Sequence, residues 1–94
     1  MDNIDVYEAI RALYDPIRFE IVKMLQKRDM YGAELAATLI LPEPTVSYQM
    51  RILCESELVS SRKEGRRKIY SLNSESARIM VETLAEYLNV DSIY

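Results

Sequence analysis

Residues 31–56 restrict the fold more than any other part of the chain. Leu35, Ala36 and Leu39 recur at helical spacing, Ile40-Leu41-Pro42-Glu43 interrupts the pattern, and Val46, Met50 and Leu53 resume it. The spacing predicts two short helices, 32–39 and 44–56, separated by a tight break. Pro44 suits the first turn of the second helix, where a missing N–H costs no intrahelical bond. At about 100° per residue, Pro44, Tyr48, Arg51 and Glu55 fall opposite the apolar row, with Ser47 on the flank. One side of this helix suits a core, and the other carries hydroxyls, a ring and a guanidinium. Any surface helix has one apolar and one polar face, so the stretch alone leaves two readings open: a solvated helix, or a helix whose outer face enters a groove.

The flanking residues follow the same helical logic. Residues 3–13 predict a first helix with a stripe of Ile4, Val6, Tyr7, Ile10 and Leu13. Tyr14-Asp15-Pro16 breaks it, Asp15 serving as N-cap and Pro16 as first residue of a second helix, 16–27, with Ile17, Ile21, Val22 and Leu25 inward. After residue 56 the period changes. Residues 58–63 and 66–72 read as strands, and Glu64-Gly65 as a hairpin turn in which Gly65 supplies a positive φ. Asn73-Ser74 caps a last helix, 75–89, with Ala77, Ile79, Met80, Val81, Leu84, Tyr87 and Leu88 as its apolar positions. The expected fold is mainly α with a two-stranded β-hairpin, in the order four helices, two strands, one helix. No linker or repeat divides it, so residues 1–94 form one domain.

A 94-residue chain has a small core and gains from association. Broad apolar stripes at both ends of the chain suggest a homodimer interface of Ile4, Tyr7, Ile10, Met80, Leu84, Tyr87 and Leu88. The plainer alternative is that both helices complete a monomer core.

Net charge is −3, without the basic balance usual for a nucleic-acid binder. The distribution is more telling. Residues 48–73 carry six basic and three acidic side chains, against five and eight before them and one and four after. Arg62, Lys63, Arg66, Arg67 and Lys68 surround the hairpin turn and suit phosphate contact. A basic edge that resists strand pairing is the alternative.

Other classes are excluded by what the chain lacks. With no His and a single Cys, Cys54, it has no internal disulfide, no ligand set for a transition metal and no nucleophile paired with a base. No enzyme activity, metal or cofactor is expected. No apolar run approaches the ~20 residues of a membrane span. The acidic start Met1-Asp2-Asn3 lacks the positive region of a signal peptide, which predicts a cytoplasmic protein with no membrane partner.

Leu13-Tyr14-Asp15-Pro16-Ile17-Arg18 resembles the Leu-x-Asp-Pro-Thr-Arg opening of the ArsR/SmtB winged helix–turn–helix repressors. Glu34-Leu35-Ala36 resembles their third helix. Thr45-Val46-Ser47-Tyr48-Gln49-Met50-Arg51-Ile52-Leu53 is similar to their Thr-Val-Ser-His-His-Leu-x-x-Leu recognition helix, and 58–59, 62–66 and 70–73 resemble their wing. The resemblance spans residues 10–73. It implies a homodimer joined through the first and last helices. The two fourth helices would enter successive major grooves of double-stranded DNA, at an inverted-repeat operator, with the wings on the backbone. The DNA-binding residues would then be Thr45, Ser47, Tyr48, Gln49 and Arg51 on the helix and Arg62, Lys63, Arg66, Arg67 and Lys68 on the wing.

The chain departs from that pattern at three places. The family's Cys-x-Cys metal pair is absent from Met30-Tyr31-Gly32-Ala33-Glu34. The usual Ser-x-Ser lead-in is Pro42-Glu43-Pro44, and Ile40 holds a turn position usually given to Gly or Asn. Cys54 reads as a small, half-buried residue near the end of the recognition helix. The leading expectation is a dimeric DNA-binding transcriptional repressor. The rival is a protein-interaction module of the same fold, favoured by the acidic balance and by Glu43.

Overall fold

A computed structural model describes residues 4–91. The elements run α1 (Val6–Leu13), α2 (Pro16–Lys27), β1 (Met30–Tyr31), α3 (Gly32–Leu39), α4 (Glu43–Glu55), β2 (Val59–Glu64), β3 (Arg67–Leu72) and α5 (Ser74–Tyr87). The five helices and the hairpin match the expected order.

Helix starts follow their caps. The Asp5 carboxylate accepts the Glu8 N–H at 3.2 Å, so α1 begins at Val6 and not at residue 3, which lies outside the described residues. Ile4 lies ahead of that cap and packs into the core. The Asp15 carboxylate accepts the N–H groups of Ile17, at 2.9 Å, and Arg18, at 3.1 Å, and Pro16 opens α2.

The joint between α3 and α4 is closed by backbone bonds. The N–H of Ile40 bonds the Ala37 carbonyl at 3.3 Å and that of Leu41 bonds the Ala36 carbonyl at 3.0 Å, the paired bonds of a Schellman ending. This geometry places Ile40 at φ 57°, ψ 51°, in the left-handed region. A β-branched residue is strained there, by about 1–2 kcal/mol. Ile40 is 88% exposed and gains little packing in return. Ile40→Gly is therefore expected to stabilise the fold by about 1 kcal/mol and raise Tm by roughly 4–8 °C. Thermal denaturation followed by circular dichroism tests this, and a lower Tm would show that the isoleucine makes a contact of value.

The sheet has one strand more than the hairpin. β1 pairs antiparallel with β3, Met30 opposite Tyr70 and Tyr31 opposite Ile69, giving the order β1-β3-β2. The hairpin ladder ends at the Glu64–Arg67 pair, so the turn is Gly65-Arg66, one residue later than expected. Gly65, at φ 65°, supplies the positive φ.

Ile21 and Leu25 of α2, Leu35 of α3, Val46, Met50 and Leu53 of α4, and Leu58, Val59 and Tyr70 from the sheet side make one core. The predicted inner row of α4 is thus the buried one. Met80 is the buried apolar side chain that α5 adds to this core. α5 ends at Tyr87, two residues short of the expected end, and Asn89 turns the chain away at φ 55°. Near its start, the fully buried Ser76 hydroxyl has no hydrogen-bond partner. Ser76→Ala removes an unpaired polar group and is expected to stabilise the fold by about 1 kcal/mol. A urea titration with an unchanged m-value and a higher midpoint is the expected result. A lower midpoint would mean that the hydroxyl is bonded in solution.

Candidate nucleic-acid interface

α4 packs against α1, α2, α3 and β2 and leaves its outer row open. Val46, Met50 and Leu53 anchor it, while Glu43, Pro44, Ser47, Tyr48, Arg51 and Glu55 are exposed. Its N-cap is Pro42, which offers no side-chain oxygen, and the Glu43 carboxylate stands in the first turn, where the helix dipole favours negative charge. The Arg51 guanidinium lies over the Tyr48 ring, 5.6 Å from its centre. This places a planar donor fork on the exposed row. Thr45 is partly buried beside that row.

An open cleft separates α4 from the wing. Ser47, Tyr48 and Arg51 line it on the helix side, and Ser61, Arg66, Arg67 and Lys68 on the wing side. Cys54 and Tyr70 also line it. Burial pushes the Cys54 thiol up from its ordinary value, which suits a packed thiol and not a reactive one.

The five basic wing residues divide into two groups. Residues directly opposite in an antiparallel ladder share a face. Lys63 and Lys68 form one such pair on the face of Ser61 and Tyr70. Arg62 lies on the other face, where it donates to Asp29 and to the Ser71 hydroxyl and stands 3.6 Å from Glu64. Arg67 is stacked 3.6 Å from the centre of the Tyr31 ring. The Tyr31 hydroxyl in turn donates to Glu64 at 2.6 Å, and that bond raises the phenol's pKa. Arg62 and Arg67 are thus engaged within the fold, Arg67 with Tyr31 of β1 and Arg62 with Asp29 just before it. No ion pair of Lys63, Arg66 or Lys68 occurs among the described residues.

Glu34 completes the support. Its carboxylate pairs with Arg28 and accepts the Tyr31 N–H at 2.9 Å, and these two partners hold its pKa below the usual carboxylate range. Gln49, one of the expected DNA-binding residues, is partly buried on the flank of α4. Its Oε1 accepts from Arg18 of α2 at 2.7 Å. Sequence reasoning gave Arg18 no role beyond the Asp-Pro-x-Arg pattern, and no local signal shows where its guanidinium goes.

The expected dimer residues also divide. Tyr7 is 69% exposed, Tyr87 75% and Leu88 70%, and Val90 joins them. Ile10 and Leu84 are partly buried, whereas Ile4 and Met80 belong to the protomer's own core. α1 and α5 pack against one another, which brings the first and last helices together.

The family model for bacterial regulatory proteins of the arsR family matches residues 15–61, from the start of α2 into β2. The arsenical resistance operon repressor of Staphylococcus xylosus is 35% identical over 75 residues, covering 80% of this chain and 72% of the relative. The chain belongs to the ArsR family. A transcriptional repressor SmtB homolog of Synechocystis sp. is 33% identical over 86% of the chain, which spans 61% of that relative. Among solved structures, the homodimeric winged helix–turn–helix DNA-binding domain of a possible ArsR-family regulator from Mycobacterium bovis superposes with a TM-score of 0.74. It covers 95% of this chain and 85% of its own at 23% identity. In ArsR-family terms α3 and α4 are the helix–turn–helix, β2 and β3 the wing, and α1 and α5 the flanking helices. Among the described residues no three His, Cys, Asp or Glu side chains converge, so they do not fit a metal-ligand set. No helix of the described residues is long and apolar enough to cross a membrane.

Proposed function

We propose that this ArsR-family chain is a transcriptional repressor that binds an inverted-repeat site on double-stranded DNA as a homodimer. The observation that carries the reading is the exposed row Ser47, Tyr48 and Arg51 on α4, set across one cleft from the unpaired wing cations Arg66 and Lys68. A helix fits the major groove, where Arg51 can donate both arms of its fork to one guanine. Lys63, Arg66 and Lys68 supply sequence-independent attraction to phosphate. Tyr7, Tyr87, Leu88 and Val90 supply the apolar surface through which two copies join. The two copies would set their α4 helices one helical turn of DNA apart, or a multiple of it.

Fluorescence anisotropy on duplexes tiled from the DNA upstream of the coding region tests the reading over a salt series. One partly palindromic site should bind tightly. Three free wing cations per protomer should give a log–log salt slope of about −5 or steeper for the dimer. Absence of binding at every salt concentration would overturn DNA recognition and favour the rival protein-interaction module.

A further inference from the structure

Gln49 is the one proposed DNA-contact residue of α4 whose amide is tied to another helix. Arg18, in the first turn of α2, has a side chain only 13% exposed. Its Nε donates to the Ala12 carbonyl at 2.5 Å, its Nη1 to Gln49 Oε1 at 2.7 Å, and the Asp15 carboxylate stands 3.9 Å away. A guanidinium has donors and no acceptor. The amide atom at 2.7 Å from it must therefore be the oxygen, which fixes the orientation of the Gln49 amide. The end left over is the NH2 group, a donor with no partner among the described residues.

This changes what Gln49 can recognise. A glutamine reads adenine by using both ends of the amide at once, accepting from N6–H and donating to N7. With its oxygen committed to Arg18, Gln49 retains only the donor. It sits on the partly buried flank of α4 that meets α2, about 100° around the helix from Tyr48. A neutral donor on the flank of a groove-bound helix meets phosphate oxygens, the contacts that fix register. The device is also a costly way to pack two helices. Apolar side chains would join α2 to α4 without desolvating a cation whose carboxylate partner, Asp15, stands as far as 3.9 Å away.

We propose that Gln49 donates to the DNA backbone and that Arg18, outside the recognition helix, is the residue that positions it. The inference rests on the DNA-binding reading above. The test is anisotropy on three sets of duplexes: the bound site, a scrambled site, and versions of the site changed one base pair at a time. Gln49→Met should weaken the bound and scrambled sites equally, by roughly fivefold to tenfold, with base preferences intact. Arg18→Met should give a similar loss, and the double variant should bind no more weakly than Gln49→Met alone. A merely structural Arg18 would instead add its loss in full. If Arg18→Met does not fold, Arg18→Lys replaces it, because one ammonium cannot reproduce the fork between Ala12 and Gln49. Lost discrimination at an A·T pair in Gln49→Met would overturn the proposal in favour of base reading, and unchanged affinity would overturn it outright. Wild-type protein that binds no duplex would overturn the DNA-binding reading itself.

Discussion

Changing Tyr87 and Leu88 together to glutamate is expected to separate the proposed dimer into folded monomers and to weaken binding to the palindromic site by roughly 100- to 10,000-fold. Both side chains are at least 70% exposed in the protomer, so the change removes little of its core. In a dimer, the second α4 reaches its half-site as an intramolecular event. A monomer loses that advantage and binds each half-site separately. Four added charges across a two-fold interface oppose reassociation, since like charges brought together out of water are costly. Sedimentation velocity should show the mass halved while the far-ultraviolet circular dichroism stays that of the wild type. A variant that remains dimeric and keeps full affinity would place the interface elsewhere.

The second large effect concerns what is read and what merely attracts. Arg51→Ala should cost about 1–3 kcal/mol on the bound site and almost nothing on a scrambled one, because a bidentate guanine contact supplies discrimination. Lys68→Ala should weaken both duplexes alike and reduce the salt slope of a dimer by about 2, one phosphate per protomer. Arg67 behaves differently from either. Its guanidinium rests on Tyr31, so Arg67→Ala should loosen the wing as well as remove charge. Equal losses on both duplexes for Arg51→Ala would refute the division of labour.

The helices were legible because each depends on residues close together in sequence. The row Val46, Met50, Leu53 is a local pattern, and burial confirms it. Asp15-Pro16 announced the start of α2. Asp5, followed three residues later by Glu8, carries the same kind of signal at α1, and weighing it would have moved that start from residue 3 to residue 6. β1 was not legible. Two residues carry no periodicity, and Met30 and Tyr31 become a strand only because Tyr70 and Ile69 lie alongside.

The same distinction governs the candidate site. The exposed row of α4 follows from helical geometry, so Ser47, Tyr48 and Arg51 could be placed in advance. The wing charges could be counted in advance but not sorted. Arg62 meets Asp29 across 33 positions of sequence, and Arg67 meets Tyr31, which no charge count reveals. Gln49 stands among the expected DNA-binding residues, and α4 alone cannot show that Arg18 of α2 reaches its amide.

The short strand β1 has a consequence for the thermodynamics of recognition. A two-stranded ribbon projecting from a helical body is marginal by itself and would have to be ordered on meeting DNA, at the expense of affinity. Here Met30 and Tyr31 fasten β3 to the residue that begins α3, and the Tyr31 hydroxyl reaches Glu64 near the hairpin tip. The wing is thereby preorganised against the recognition helix, and little ordering entropy remains to be lost on binding. On the proposed reading, helix and wing would engage or leave the duplex as one body.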